Sequence, residues 1–235
     1  MSSKTSETEQ LVFDLPHRPA LGAEDFLVSS SNQSAIELID NWPGTWPNFA
    51  AAICGPAGVG KSHLASVWME RSGAHRLTGN DLGDEEAELF LEQPALVVED
   101  LHLGIKSEKA LFHVLNTARE RQKSVILTSR VPPGELNVTL PDLRSRLRAL
   151  PIAVIAPPDD ALLQGLLVKL FIDRQLSVDP ETIRYILTHM ERSAESAVTT
   201  VAEMDRLALA KRRRTTKALA REVIYKLFPV KPYNV

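Results

Sequence analysis

The stretch Gly55-Pro56-Ala57-Gly58-Val59-Gly60-Lys61-Ser62 decides the fold class of this chain of 235 residues. It matches the pattern G-x-x-x-x-G-K-[ST] in full, between an apolar run at residues 49–54 and helical periodicity at residues 61–71. A strand, a glycine-rich loop and a helix in this order form a phosphate-binding loop, because the glycines let backbone N–H groups turn towards phosphate oxygens. The sequence therefore predicts an α/β domain that binds a phosphorylated ligand.

The side chains at the end of this loop have distinct expected roles. Lys61 is expected to reach the β- and γ-phosphates, and the hydroxyl of Ser62 to ligate Mg²⁺. His63 is expected to contact the nucleotide through its backbone, with no role for its ring. The predicted phosphate-binding set is Gly55, Pro56, Ala57, Gly58, Val59, Gly60, Lys61, Ser62 and His63.

Two adjacent acids, Glu99 and Asp100, follow a second buried apolar run at residues 95–98. In an α/β sheet the ligand lies outside the carboxyl ends of the strands, so these carboxylates are expected beside the phosphate loop. Either one could hold Mg²⁺ through water while the other orients an attacking water. We assign the metal to Glu99 and the catalytic water to Asp100.

Short apolar runs and helical stretches alternate through the first two thirds of the chain. The predicted strands span residues 49–54, 95–98, 124–128 and 152–155, and the predicted helices span residues 61–71 and 107–122, the latter capped by Ser107. Such alternation is typical of an α/β fold with a mostly parallel sheet, because parallel strands need crossover connections.

After Pro157 and Pro158 the pattern becomes helical only. One apolar stripe at helical spacing is formed by Leu162, Leu163, Leu166, Leu167, Leu170 and Phe171. Further helices are predicted at residues 180–190, 194–210 and 216–228. We therefore predict three parts, a flexible N-terminal tail (1–21), an α/β nucleotide-binding domain (22–157) and a small all-helical domain (158–235).

Composition excludes several classes of protein. The net charge of −3 gives no general attraction for nucleic acid, although a local basic patch remains open. Cys54 is the only cysteine, so neither an internal disulfide nor a cysteine metal site can form. No apolar run approaches the roughly 20 residues that a membrane helix needs, and the N-terminus lacks an apolar signal core. We expect a cytoplasmic protein without a membrane partner.

Two further segments allow more than one interpretation. Residues 10–15, QLVFDL, are an apolar patch inside a polar tail, and on composition alone they could be a strand docked on the folded domain. In the segment LRSRLR at residues 143–148, Arg144 and Arg148 share one face of a helix and Arg146 points elsewhere. From spacing alone, residues 143–148 could also be a basic helix face that only contacts solvent. The same alternative holds for the helix end Lys211-Arg212-Arg213-Arg214.

The order of these motifs resembles the AAA+ module of the DnaA family of bacterial replication initiators. The resemblance covers about residues 22–228 and includes the strand ending in Leu127-Thr128-Ser129 and the segment LPDLRSRLRALPIAVIAPPDD at residues 140–160. It implies ADP or ATP with Mg²⁺ as cofactors and a helical lid after the α/β domain. The segment LRSRL resembles the motif that carries the arginine finger, which implies Arg146, and Phe26, Leu27 and Val28 resemble the segment that lines the adenine pocket.

Within this group the chain resembles the Hda family of regulators, which lack the DNA-binding domain of the initiator. The chain ends at Val235 directly after the lid, so no sequence-specific DNA binding is expected. Members carry an N-terminal motif, Q-L-x-[LF]-x-L, for the DNA polymerase III sliding clamp. Gln10, Leu11, Phe13 and Leu15 fit this motif and are the implied partner-binding residues. DnaA is the second implied partner, and self-association into a homo-oligomer is also allowed.

Two departures from the initiator pattern bear on hydrolysis. Arg130 stands where the initiator has an aspartate, and Glu195 stands at the position of a lid arginine, for which Arg192 is a nearby substitute. The leading hypothesis is therefore a clamp-bound negative regulator of replication initiation that stimulates hydrolysis of DnaA-bound ATP and turns over little ATP itself. The alternatives are an autonomous ATPase such as a helicase loader and a small nucleotide kinase, for which no acceptor site is found.

Overall fold

The structure is a computed structural model, and it describes residues 27–211 and 213–229. The predicted tail, with Gln10, Leu11, Phe13 and Leu15, lies outside the described residues, and so does Phe26. In the described part no helix is both long and apolar enough to cross a membrane.

A five-stranded sheet forms the centre of the α/β part. Its strands are β1 (Ala50–Cys54), β2 (His75–Thr78), β3 (Ala95–Glu99), β4 (Ser124–Ser129) and β5 (Ile152–Val154). They lie in the order β2-β3-β4-β1-β5, and every neighbouring pair is parallel. The prediction of an α/β fold with a parallel sheet is confirmed.

Nine α-helices accompany this sheet in the described residues. Five belong to the α/β part, α1 (Gln33–Asp40), α2 (Lys61–Ser72), α3 (Asp84–Leu89), α4 (Glu108–Arg121) and α5 (Pro141–Arg148). Four follow the sheet, α6 (Asp160–Asp173), α7 (Pro180–His189), α8 (Ala194–Lys211) and α9 (Lys217–Leu227). Ser107 caps α4 as predicted, because its hydroxyl accepts the N–H of Ala110 at 3.1 Å.

The sequence patterns miss the elements that have little apolar periodicity. Strands β1, β3 and β4 are buried along their whole length and read as continuous apolar runs, which is typical of strands covered on both faces. Strand β2, with the sequence HRLT, lies at the edge of the sheet and is partly exposed, so its residues give no such signal. Helices α1 and α3 are short and were not predicted either.

Two apolar layers cover the faces of the sheet. On one face α3, α4 and α5 bury residues such as Leu111 and Leu143, and on the other α1 and α2 enclose a cluster of three tryptophans. The ring of Trp68 meets that of Trp42 edge to face, with centroids 5.6 Å apart, and stacks on Trp46 at 5.5 Å. The three tryptophans therefore act as packing residues of this layer.

The helices after the sheet share an apolar core of their own. The predicted apolar stripe on α6 is confirmed, and it is wide enough to reach two environments. Leu163, Leu167 and Phe171 are fully buried among α7, α8 and α9. Leu162, Leu166 and Leu170 each precede one of these three residues in the sequence, and they line a cavity beside the α/β part. Because the members of the two sets are neighbours in the sequence, spacing alone does not distinguish one set from the other.

Replacing Trp68 with Ala is expected to lower the free energy of unfolding by about 3–5 kcal/mol, because the side chain is fully buried and leaves a cavity between α2 and the sheet. Urea denaturation followed by circular dichroism measures the change. Leu89→Ala is the matched control, since Leu89 is 62% exposed and its removal should change stability by no more than about 0.5 kcal/mol. Equal losses in the two variants would contradict the assignment of Trp68 to the core.

Candidate nucleotide-binding site

The phosphate loop is fixed where it leaves β1. The N–H of Gly55 donates to the carbonyl of Ser129 at 3.2 Å, and the N–H of Ile155 donates to the carbonyl of Cys54 at 2.8 Å. A Cβ on Gly55 would lie 2.3 Å from the carbonyl oxygen of Ile155, which explains the need for glycine. The ends of β4 and β5 thus hold the start of the loop from both sides.

A cavity of about 640 Å³ lies between this loop, the segment that precedes α1, and helices α6 and α8. Nine predicted site residues line it, namely Leu27, Ala57, Gly58, Val59, Gly60, Lys61, Ser62, His63 and Asp100. Val28, Gly55, Pro56 and Glu99 do not line it, and Val28 packs against the tryptophan layer instead. The cavity wall therefore contains most of the loop that the motif singled out.

The ammonium group of Lys61 lies inside its own loop. Its Nζ donates to the carbonyl of Gly55 at 2.8 Å and to that of Pro56 at 2.7 Å, and the residue is only 7% exposed. Burial lowers the pKa of Lys61, while the nearby carboxylate of Asp100 acts in the opposite direction. The ammonium group is thus held at the loop. The oxygens of a bound phosphate can replace the two carbonyls as acceptors of its N–H donors.

Asn32 holds the segment that forms the far wall of the cavity. Its side-chain amide donates to the carbonyl of Leu27 at 2.8 Å, and its side-chain oxygen accepts the N–H of Ser29 at 2.9 Å. The carbonyl of Ser31 accepts the N–H of Ala156 at 2.8 Å, which ties the segment to the chain after β5. The position of Leu27 on the cavity wall therefore depends on a buried amide.

The two acids at the end of β3, Glu99 within the strand and Asp100 directly after it, differ in their surroundings. Asp100 has a left-handed backbone (φ 57°), and its N–H donates to Thr128 Oγ1 at 3.1 Å, which turns its side chain towards the cavity edge. Glu99 is 8% exposed, and its Oε1 is buried without a hydrogen-bond partner. The open acceptor of Glu99 and the exposed hydroxyl of Ser62 are oxygen ligands of the kind that Mg²⁺ takes, directly or through water. Across the described chain, no group of three His, Cys, Asp or Glu residues could hold a metal.

His102 is a further residue at this edge for which the sequence gives no signal. Its Nδ1 lies 3.9 Å from Oδ1 of Asp100, and neither ring nitrogen has a hydrogen-bond partner. Burial lowers the pKa of His102, and the charge of Arg130 lowers it further. A short 3-10 turn at Leu101–Leu103 brings the ring to Asp100, which only the folded backbone reveals.

The residues that depart from the initiator pattern both reach the cavity. Arg130 lines it after β4, and Glu195 lines it from the first turn of α8. Arg192 does not line it, because its guanidinium pairs with Asp160 at 2.6 Å on the exposed surface. The cavity thus contains a carboxylate where the resemblance implies a cation.

The helices after the sheet contact the phosphate loop directly. The N–H of Ala194, at the start of α8, donates to the carbonyl of Gly58 at 3.1 Å. A Cβ on Gly58 would lie 3.0 Å from Cβ of Ser193, so the two segments pack closely. Neither this contact nor the place of the α6 residues on the cavity wall follows from the sequence, although the leucine pattern of α6 contains those residues.

Arg146 lies on α5, away from the cavity that the chain itself forms. Helix α5 is fixed at its start by Glu108, whose carboxylate accepts the N–H of Thr139 at 2.9 Å and that of Leu140 at 2.7 Å. Nε of Arg144 donates to the carbonyl of Val138 at 3.2 Å. Arg146 is half-buried, and within the described residues no hydrogen bond or ion pair holds its guanidinium.

The basic end of α8 is tied locally. Lys211 and Arg213 both pair with Glu222 of α9, the latter at 3.1 Å, and Arg212 lies outside the described residues. Because their charges are already paired, this helix end agrees with the solvated alternative considered above.

Comparison with known proteins finds relatives among replication initiators. The chain is 23% identical over 236 residues to the chromosomal replication initiator protein DnaA of Cutibacterium acnes, with 90% of this chain and 47% of the relative covered. It thus spans about half the length of this curated relative. No protein-family model matches the chain.

Solved structures of DnaA share the fold. Domain III of the Thermotoga maritima replication initiation protein DnaA has a TM-score of 0.74 at 17% identity, with 91% of this chain and 99% of that chain covered. AMPPCP-bound DnaA from Aquifex aeolicus has a TM-score of 0.67 at 20% identity, with 83% and 66% covered. This chain therefore shares the fold of DnaA domain III and is similar in sequence to part of the initiator.

Proposed function

We propose that this protein is a negative regulator of DNA replication initiation that stimulates hydrolysis of the ATP bound to DnaA. In this proposal its N-terminal tail binds the DNA polymerase III sliding clamp, its cavity holds ADP or ATP with Mg²⁺, and Arg146 is the arginine finger. The helices after the sheet serve as a lid over the nucleotide. The observation that carries the proposal is the unpartnered guanidinium of Arg146 on a firmly anchored helix.

The nucleotide acts in this proposal mainly as a structural ligand. The phosphate loop and the wall around Leu27 can bind a diphosphate and a base without a γ-phosphate. Glu195 lines the same cavity, and a carboxylate close to the γ-phosphate would repel it. Turnover by the isolated protein should therefore be slow compared with the median enzyme rate of about 10 s⁻¹.

Excess ADP is expected to raise the melting temperature, because a ligand that binds only the folded state adds about 2.7 kcal/mol at a hundredfold excess over its Kd. Lys61→Ala should abolish the rise, since the ammonium group that meets the phosphates is lost. Lys109→Ala is the matched control, because this exposed lysine of α4 does not line the cavity. A thermal-shift titration measures the effect, and an unshifted wild-type protein would contradict ADP as the ligand.

The surroundings of Arg146 support a role in trans. The guanidinium does not line the cavity of its own chain, so any phosphate that it contacts belongs to another molecule. Because Glu108 anchors the start of α5, the side chain extends from a rigid support. An arginine finger supplied in trans stabilises charge on the transferring phosphoryl group and accelerates hydrolysis by roughly 10³–10⁵-fold in other systems.

Arg146→Ala is therefore expected to remove the stimulation of DnaA while leaving ADP binding unchanged. Arg146→Lys should restore little of it, because the planar fork of the guanidinium is lost. The assay measures hydrolysis of DnaA-bound ATP in the presence of DNA-loaded clamp, with and without each variant. Arg148→Ala, an exposed arginine on the same helix, is the control. Loss in Arg144→Ala together with full activity in Arg146→Ala would assign the finger to Arg144.

The tail supplies the proposed link to the clamp. Its alternate apolar residues, Leu11, Phe13 and Leu15, suit an extended peptide that docks in a groove, with Gln10 bonding at the rim. Burial of each large apolar side chain contributes about 1.5–3 kcal/mol, so three anchors give useful affinity.

Replacing Gln10, Leu11 and Phe13 together with Ala should abolish co-elution with purified sliding clamp in gel filtration. The melting temperature should not change, because these residues precede the α/β domain in the sequence. Substituting Ser2, Ser3 and Thr5 with Ala provides a control of equal size in the same tail. Persistent co-elution of the triple variant would refute the clamp motif, and no binding by the wild-type protein would favour an autonomous ATPase such as a helicase loader.

A further inference from the structure

Glu99 has a cationic neighbour on the edge strand of the sheet. Arg76 lies on β2, where its strand partner is Val97, two residues before Glu99 on β3. Residues at this diagonal spacing share a face of the sheet and come within reach of a long side chain. Nε of Arg76 lies 3.5 Å from Oε2 of Glu99, whose side chain is almost completely buried.

Two contacts on α2 hold the guanidinium in this position. Nη2 of Arg76 donates to Ser66 Oγ, and Nε faces Sδ of Met69 at 3.3 Å. Ser66 lies one helical turn after Ser62, and its hydroxyl donates to the carbonyl of Ser62 at 2.8 Å. The arginine is therefore fixed between Glu99 and the helix turn that begins with the serine of the phosphate loop.

The arginine changes the charge balance around the phosphate loop. The cavity-lining residues carry three positive charges, on Lys61, Arg130 and Lys169, and three negative charges, on Asp100, Asp173 and Glu195. Glu99 alone would bring the balance to −1, and Arg76 returns it to zero. In a nucleotide site with a net negative charge, a divalent cation is needed to offset repulsion between carboxylate and phosphates. Here a side chain already supplies the charge that offsets Glu99.

We infer that Arg76 is a built-in counter-ion for Glu99, which allows this protein to bind ADP nearly as tightly without a divalent cation as with one. Ser62 and Glu99 can still hold Mg²⁺, but the metal then adds little binding free energy. The inference rests on the proposed nucleotide ligand and concerns the metal dependence of that same site. It makes Arg76 a positioning residue that acts on the nucleotide through Glu99.

The test compares ADP affinity in excess EDTA with that in excess Mg²⁺ by isothermal titration calorimetry. The wild-type Kd should change by less than about threefold between the two buffers. A tenfold change would correspond to about 1.4 kcal/mol of binding free energy. Arg76→Gln should bind ADP at least about tenfold more weakly in EDTA than in Mg²⁺, because the charge of Glu99, which acts on Lys61 in the phosphate loop, is then uncompensated. Arg76→Lys keeps the positive charge and should behave like the wild-type protein.

Two further variants separate the charge effect from a loss of structure. Arg76→Gln combined with Glu99→Gln should again be insensitive to the metal, because the carboxylate that repels the phosphates is gone. Arg71→Gln removes an arginine that pairs with Asp40 at 3.8 Å, away from the cavity, and should leave the ratio of the two Kd values unchanged.

Each result bears on the inference in one direction. A wild-type protein that loses ADP in EDTA, or an Arg76→Gln variant with the wild-type ratio, would overturn the role of Arg76 and leave ADP binding intact. Absence of ADP binding in both buffers would instead overturn the proposed nucleotide ligand, and the inference with it.

Discussion

The close fit of Gly55 between the ends of β4 and β5 is the constraint on which the site depends. Its backbone bonds to Ser129, and a single added carbon would meet the carbonyl of Ile155 at 2.3 Å. Because β1 is paired on both sides, the phosphate loop begins at a fixed point above the sheet. The acids at the end of β3 and Arg130 after β4 reach the same edge, since all strands are parallel.

The electrostatics of the cavity connect this geometry to function. Lys61, Arg130, Asp100 and Glu195 all line the cavity, and the start of α8 contacts the loop through the hydrogen bond from Ala194 to Gly58. Such a balance suits retention of a nucleotide better than rapid turnover of it. Arg146 projects from α5 away from this cavity, so the chemistry that we propose for it takes place at the nucleotide of another protein.

The site residues that could be predicted are those that lie close together along the chain. The loop from Ala57 to His63 and the acid Asp100 could be assigned from the sequence, because one motif and one strand end define them. Leu166 belongs to the apolar pattern of α6, which does not show that it lines the cavity. His102 beside Asp100 and Arg76 beside Glu99 carry no local signal. Each acquires its neighbour through a turn or a strand pairing that spacing in the sequence does not specify.

The sequence by itself determined the α/β class, the phosphate loop and the helical character of residues 160–227, because apolar runs and periodicity reflect burial within single elements. Only the tertiary structure decided which face of α6 lines the cavity, that β2 forms an edge of the sheet, and that Arg76 pairs with Glu99. The physical reason is that these features depend on contacts between elements. Arg76 and Glu99 are distant in sequence, and they meet because β2 and β3 pair in one register.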